Sequence, residues 1–182
     1  MIRLLAAALA LLAIACTEES TPQPPTDPEL PPPTQVGARA GACLLNDSAW
    51  VAGSPALAFP TLAELTNGPA VLSVELYRFI PGEAPVSDLI AIYATGVTGV
   101  GVYPLSFVTY PEGDFPGLYY QNVIRGCENL SFAAGTGTLE IYFYDPARNI
   151  ISGRFSGRIP GTCGEVVIRN GWFDTTYTPT DY

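Results

Sequence analysis

From residue 137 to residue 173 apolar and polar side chains alternate with a period of two, interrupted only by short turn sequences. Leu139, Ile141 and Phe143 alternate with Glu140, Tyr142 and Tyr144. After the turn Asp145-Pro146-Ala147-Arg148-Asn149, Ile151, Gly153, Phe155 and Gly157 share one face, with Ser152, Arg154, Ser156 and Arg158 on the other. Successive Cβ atoms of a strand point to opposite faces, so this spacing builds half-buried strands rather than a helix. Pro160–Gly164 is a second turn, Val166 and Ile168 come next, and Asn170-Gly171 predicts a bulge before Trp172 and Phe173. Three strands joined this closely form an antiparallel meander.

The same signal recurs upstream. Leu72, Val74 and Leu76 alternate with Ser73, Glu75 and Tyr77; Leu89 to Ala94 is a short apolar run; Val100, Val102 and Leu105 mark a Gly- and Pro-punctuated strand. Asp47-Ser48 is a turn leading into a strand with Trp50. No stretch sustains helical spacing, although Leu62 to Leu65 reads as a single helical turn. The expected fold is all-β: an antiparallel β-sandwich or a flattened, lipocalin-like barrel, which periodicity does not separate. Residues 37–182 form one domain, long enough to bury a core. Within it, Gly153 and Gly157 leave room for a large neighbour, and Phe155 between them is a core plug.

Ahead of the domain stand an address and a spacer. Met1-Ile2-Arg3 is a short basic start, and Leu4 to Ala15 is an unbroken apolar run. That run suits a signal peptide (residues 1–15) and is too short for the ~20 residues of a membrane span. Ala13-Ile14-Ala15-Cys16 resembles the lipobox of bacterial lipoproteins, which makes Cys16 the expected lipid-attachment residue and the membrane the expected partner through it. Residues 16–36 form a proline-rich tether. Thr17 to Thr34 carries seven Pro, four acids and no base, too little apolar surface to offset its ordering entropy. An extended polyproline II chain at ~3.1 Å per residue would hold the domain roughly 50 Å from the bilayer. Glu18-Glu19 reads either as solvated linker charge or as a surface-export signal of Bacteroidetes lipoproteins.

Several segments carry a family resemblance. Pro31-Pro32-Pro33-Thr34-Gln35-Val36-Gly37 with Gly41-Ala42-Cys43-Leu44-Leu45-Asn46-Asp47-Ser48-Ala49-Trp50 forms the opening. Gly137-Thr138-Leu139-Glu140-Ile141 with Ile151–Gly157 forms the meander, and Val166–Asp174 the close. Together they resemble an uncharacterised family of Bacteroidetes cell-envelope lipoproteins, a domain of unknown function. Asp47 stands where that family has Gly, and Trp172 where it has Arg. The resemblance implies an outer-membrane lipoprotein, exposed at the surface in the second reading of Glu18-Glu19. It assigns no catalytic residue.

Composition narrows the chemistry. The chain has no His and no Lys, eight Arg, 17 acids and a net charge of −9. Imidazole-based triads are excluded. Nucleic acid is not an expected partner, since its binders cluster cations. With Cys16 set aside, Cys127 and Cys163 lie in turns near the final meander and form the favoured disulfide; Cys43–Cys163 is the alternative pairing. Closing ~36 residues this way contributes on the order of 3–4 kcal/mol. The absence of a C-x-x-C pair leaves no metal site and no cofactor expected.

Tyr142 and Tyr144 share the polar face of their strand and read either as sugar-stacking aromatics or as cross-strand packing. Ser48 in Asp47-Ser48-Ala49 and Thr175 in Asp174-Thr175-Thr176 match the O-glycosylation sequence of Bacteroidetes exported proteins, and equally turn chemistry. Glu112 and Asp114 form a weak calcium motif. Arg154, Arg158 and Arg169, beside Glu140 and Glu165, read as cross-strand ion pairs ahead of an anion site. The leading functional expectation is a membrane-anchored, non-enzymatic binding module of the envelope, for a glycan or a protein partner. A barrel-type carrier of a small apolar ligand and a hydrolase with paired carboxylates are the alternatives.

Overall fold

The computed structural model describes residues 28–53, 61–66, 70–79, 88–105, 108–110, 113–115, 117–122, 126–130 and 137–180. The signal peptide, Cys16 and the first part of the tether lie outside them, as does Glu112; the side chain of Asp114 is also not described. The described strands are β1 (Ala40–Leu45), β2 (Ser48–Val51), β3 (Thr61–Thr66), β4 (Leu72–Arg78), β5 (Asp88–Ala94), β6 (Gly101–Leu105) and β7 (Val108–Tyr110). They continue with β8 (Gly113–Phe115), β9 (Leu118–Asn122), β10 (Cys127–Leu130), β11 (Gly137–Asp145), β12 (Ile150–Ile159), β13 (Val166–Thr176) and β14 (Thr178–Thr180). Among the described residues there is no helix.

The strands form two six-stranded sheets, in the order β2-β1-β13-β12-β11-β6 and β10-β9-β5-β4-β3-β14, with β7 and β8 as a separate hairpin. All pairs in the first sheet are antiparallel. In the second, β14 runs parallel to β3. Among the described residues each sheet keeps two unpaired edges, so the architecture is a sandwich and not a closed barrel. Leu72, Val74, Leu76, Ile90 and Ile92 of one sheet belong to the same buried cluster as Leu139, Ile141, Ile151, Phe155, Ile168 and Phe173 of the other. Side chains thus fill the space between the sheets, and a barrel-type carrier loses the architecture it needs.

Local periodicity wins over the expected helical turn at Leu62–Leu65. Thr61, Ala63 and Leu65 are buried while Leu62 and Glu64 are exposed, the alternation of β3, which takes hydrogen bonds from β4 and β14. Phe155 is buried in the core, and Phe173 fills the room left by Gly153.

Cys127, the first residue of β10, is bonded to Cys163 in the β12–β13 turn, with a Cα–Cα separation of 5.6 Å. The bond ties an edge of the second sheet to a hairpin of the first. The alternative Cys43–Cys163 pairing is excluded. Cys43 is a buried free thiol, paired across β1 and β2 with Trp50.

Candidate functional site

A bulge decides which way Trp172 faces. Along β13, Ile168 is in the core cluster, and strict alternation from it would send Trp172 inward. The register against β12 shifts between Phe155 and Gly157, where Asn170 adopts a left-handed φ of 51°. One extra residue restores Gly171 and Phe173 to the inner face: Gly171 lies against the Phe155 ring, and Phe173 joins the core. Trp172 therefore pairs with Arg154 on the outer face of the first sheet.

That face carries a groove of about 620 Å³. Its floor comes from adjacent strands: Val102 of β6, Thr138 and Glu140 of β11, Arg154 and Ser156 of β12, and Trp172 of β13. Its other wall is the end of the proline-rich segment, Pro28, Leu30 and Pro31–Pro33. Trp172 is 6% exposed, and its indole Nε1–H has no hydrogen-bond partner among the described residues. An unpaired buried donor costs about 1–3 kcal/mol, and this one is sealed from solvent by the packing around it. Around it, Arg154 pairs with Glu140 at 3.7 Å and lies over the Tyr142 ring at 5.0 Å. Thr138 and Ser156 share a hydrogen bond at 3.3 Å.

The proline-rich wall is held by one buried carboxylate. Asp174 on β13 is fully buried and accepts hydrogen bonds from the amides of Val36 (3.1 Å), Gly37 (3.0 Å) and Ala38 (3.0 Å). It also accepts from the hydroxyls of Thr34 and, at 2.8 Å, Ser152. Three successive amides converge because Gly37 takes a φ of 72°, open to glycine without strain. Burial alone would push the Asp174 pKa up. The donors from Thr34, Ala38, Ser152 and Val36 outweigh it and hold the carboxyl below its ordinary 3.8. Tyr142 adds a further tie, its hydroxyl donating to the Thr34 carbonyl at 3.3 Å.

Tyr142 and Tyr144 are not brought together. A bulge between Ile141 and Phe143 breaks their alternation. Tyr142 meets Arg154 and Thr34, whereas Tyr144 packs on the core and stacks with Tyr177 at 5.9 Å between ring centroids.

A second polar cluster bridges the sheets. Asp88 at the start of β5 is fully buried and accepts from Trp50 Nε1 (3.3 Å), Tyr120 (3.2 Å), Asn122 (2.7 Å) and the Arg78 guanidinium. Arg78 also lies over the Trp50 ring, 5.6 Å from its centroid. Every accepting oxygen of Asp88 is used within the cluster, which marks it as a structural tie between β2 and the second sheet.

The remaining candidates separate by exposure. Ser48 is exposed at the start of β2, whereas Thr175 is fully buried opposite Ile151, out of reach of any modification of the folded chain. Arg158 pairs with Glu165 at 2.7 Å and Arg169 with Asp47, so these cations sit in ion pairs. Burial pushes the Cys43 thiol up to about 12 despite the opposing charge of Arg78, which leaves it a poor nucleophile. Asp145 and Asp174 have lowered pKa values, the opposite of what a general acid needs. Among the described residues no group of three or more Cys, Asp or Glu gathers as a metal site.

Sequence reasoning missed Trp172, Asp174, Arg78 and Asp88 as site residues. Trp172 was within reach, because the expected Asn170-Gly171 bulge reverses the face of the next residue. No protein family, curated protein or solved structure matches the chain.

Proposed function

We propose that the chain is an exported envelope lipoprotein, anchored through Cys16, whose domain works as a non-enzymatic binding module. The ligand-binding surface is the outer face of the first sheet. The observation that carries this reading is the groove of about 620 Å³ between the proline-rich segment and the sheet, lined by Trp172 and Arg154. That volume is within the ~300–1,000 Å³ usual for ligand sites. Polar side chains of Thr138, Glu140, Arg154 and Ser156 surround the indole and supply orientation. The apolar run before Cys16 and the resemblance to envelope lipoproteins support the anchor.

Two measurements test the reading. Intact mass of the mature chain should show acyl groups on Cys16; an unmodified N-terminus rejects the anchor. Titrating ¹⁵N-labelled protein with purified envelope glycans and envelope proteins should shift the Trp172 indole signal saturably and leave that of Trp50 in place. A Trp172 signal unmoved by all of them rejects the groove as a binding site.

A further inference from the structure

Part of the outer face of the first sheet is covered by the chain itself. Ser152 on β12 and Asp174 on β13 are fully buried and Trp172 nearly so, although their neighbours Ile151 and Phe173 are the ones that enter the core. On the same face, the side chains of Glu140 and Arg154 keep 48% and 58% of their exposure. The cover is residues 28–38: Thr34, Val36, Gly37 and Ala38 donate to Asp174, and Pro31–Pro33 line one groove with Trp172.

This strap is held at one place. Its residues are exposed apart from Leu30 and Gly37, which are half-buried, so it buries little apolar surface of its own. Its prolines have no N–H to give the sheet. Its hydrogen bonds gather at residues 34–38, on the Asp174 carboxylate and, through the Thr34 carbonyl, on Tyr142. Four donors on one carboxylate come and go together, which gives the strap two states, latched and free. The latched state also keeps the Trp172 indole N–H without a partner among the described residues, a cost that contact with water relieves.

We infer that residues 28–38 are a releasable, autoinhibitory strap: latched, they cover Asp174, Ser152 and Trp172, and released, they yield that surface to a ligand. This rests on the binding-module reading and says how its site is regulated. The strap continues in sequence into residues 17–27 and Cys16. Tension between an anchored Cys16 and the domain therefore reaches the Asp174 latch before it reaches β1, and it frees the strap with both sheets intact. Release turns eleven residues of cover into tether, roughly 35–40 Å of added reach when extended. A ligand on the uncovered face and tension on the anchor favour the same state, so each strengthens the other.

Hydrogen exchange in the full ¹⁵N-labelled chain, in detergent micelles, tests the opening without any ligand. The amides of Val36, Gly37 and Ala38 and the indole N–H of Trp172 should share one opening, with protection about a hundredfold or more below that of the most protected β12 and β13 amides. Two variants free the strap from opposite sides. Gly37→Ala strains a residue held at a φ of 72° and sets its Cβ 3.0 Å from Thr176 Cγ2, and Asp174→Asn removes the carboxylate. Each should speed exchange of the three amides and the indole about tenfold and leave β12 unchanged. Gly37 lies outside both sheets, so its variant decides the matter where Asp174→Asn does not fold. The purified envelope glycans and envelope proteins of the preceding titration should bind Gly37→Ala more tightly than the unaltered chain, by the same factor. Strap amides or a Trp172 indole that exchange only with the β12 and β13 amides overturn the inference and leave the binding module standing. Equal binding by the two forms does the same. A Trp172 signal that none of these glycans and proteins moves in either form removes both readings.

Discussion

Phe173 occupies the space that Gly153 leaves empty: a Cβ at Gly153 would sit 2.7 Å from Phe173 Cζ and 3.0 Å from the Glu140 carbonyl oxygen. The arrangement is reciprocal, because Phe155, two residues on along β12, lies over Gly171 in the same strand pair. Aromatic rings over cross-strand glycines stiffen this part of the first sheet and fill the core where no glycine side chain exists.

Gly153→Ala should therefore destabilise the domain by about 1–3 kcal/mol, the usual cost of overpacking. Urea unfolding measures it. Combining the change with Phe173→Leu should recover part of the loss, since a smaller side chain withdraws from the new methyl. Recovery is incomplete because the Glu140 carbonyl stays in place. Strict additivity of the two changes would show that the ring does not define the space at Gly153.

The Asp174 latch sets an acid limit on stability. Its pKa is lowered on folding, so its contribution is fully present above the unfolded value of 3.8 and is lost as pH falls through the lower folded value. At the other end, burial and the Tyr144 hydroxyl raise the Tyr177 pKa, and burial with Glu75 raises that of Tyr77. These phenols lend stability below their ordinary 10.0 that fades as pH climbs toward the raised folded values. Thermal unfolding across pH should show a plateau bounded on both sides. Asp174→Asn should flatten the acid limb, and protease should then cut within residues 34–38 before the sheets unfold. An acid limb unchanged in that variant means the latch does not carry it.

The strands were largely legible. Runs such as Leu72–Leu76 and Leu139–Ile141 alternate because one face of each sheet is wet, and β4, β11 and β12 form where the alternation is written. Residues beyond a bulge were harder to read, since one inserted residue exchanges inside for outside. That is why Tyr142 parts from Tyr144, and why Trp172 joins the groove. Asp174 and Asp88 carry no local signal at all. Their partners lie far along the chain, Thr34 from Asp174 by 140 positions and Trp50 from Asp88 by 38, and only the completed sandwich brings them together. The groove was hidden for a related reason: composition marks residues 17–34 as a spacer, yet Pro28–Pro33 become a wall once Asp174 seizes the residues after them.

The Arg78–Asp88 pair should respond asymmetrically to mutation. Asp88 is fully buried, whereas the Arg78 side chain keeps 29% of its exposure. Removing the guanidinium, as in Arg78→Met, leaves a carboxylate buried with neutral donors only and should cost about 3–5 kcal/mol. Asp88→Asn leaves a cation that can reach water and rest over Trp50, so its cost should be smaller, about 1–3 kcal/mol. Chemical denaturation of the two variants checks the order. Equal losses would mean that Arg78 is as poorly solvated as its partner.

The three domain cysteines should divide sharply in reactivity. Cys43 is buried, and its thiol is pushed up to about 12, so at pH 8 it is neither accessible nor ionised. A thiol reagent should label no cysteine among Cys43, Cys127 and Cys163 in the folded, oxidised protein and should label one after unfolding without reductant. Cys127→Ser frees Cys163, which lies in an exposed turn and should then react in the folded state. Loss of the bond also releases the loop it closes, across a sequence separation of 36, and should lower stability by about 3–4 kcal/mol. Adding Cys163→Ser to Cys127→Ser should change stability little further, because the crosslink is already gone. Cys43→Ser acts by another route: it buries a hydroxyl opposite Trp50 and should cost about 1–3 kcal/mol without altering the disulfide. Rapid labelling of Cys43 in the native protein would contradict its place in the core.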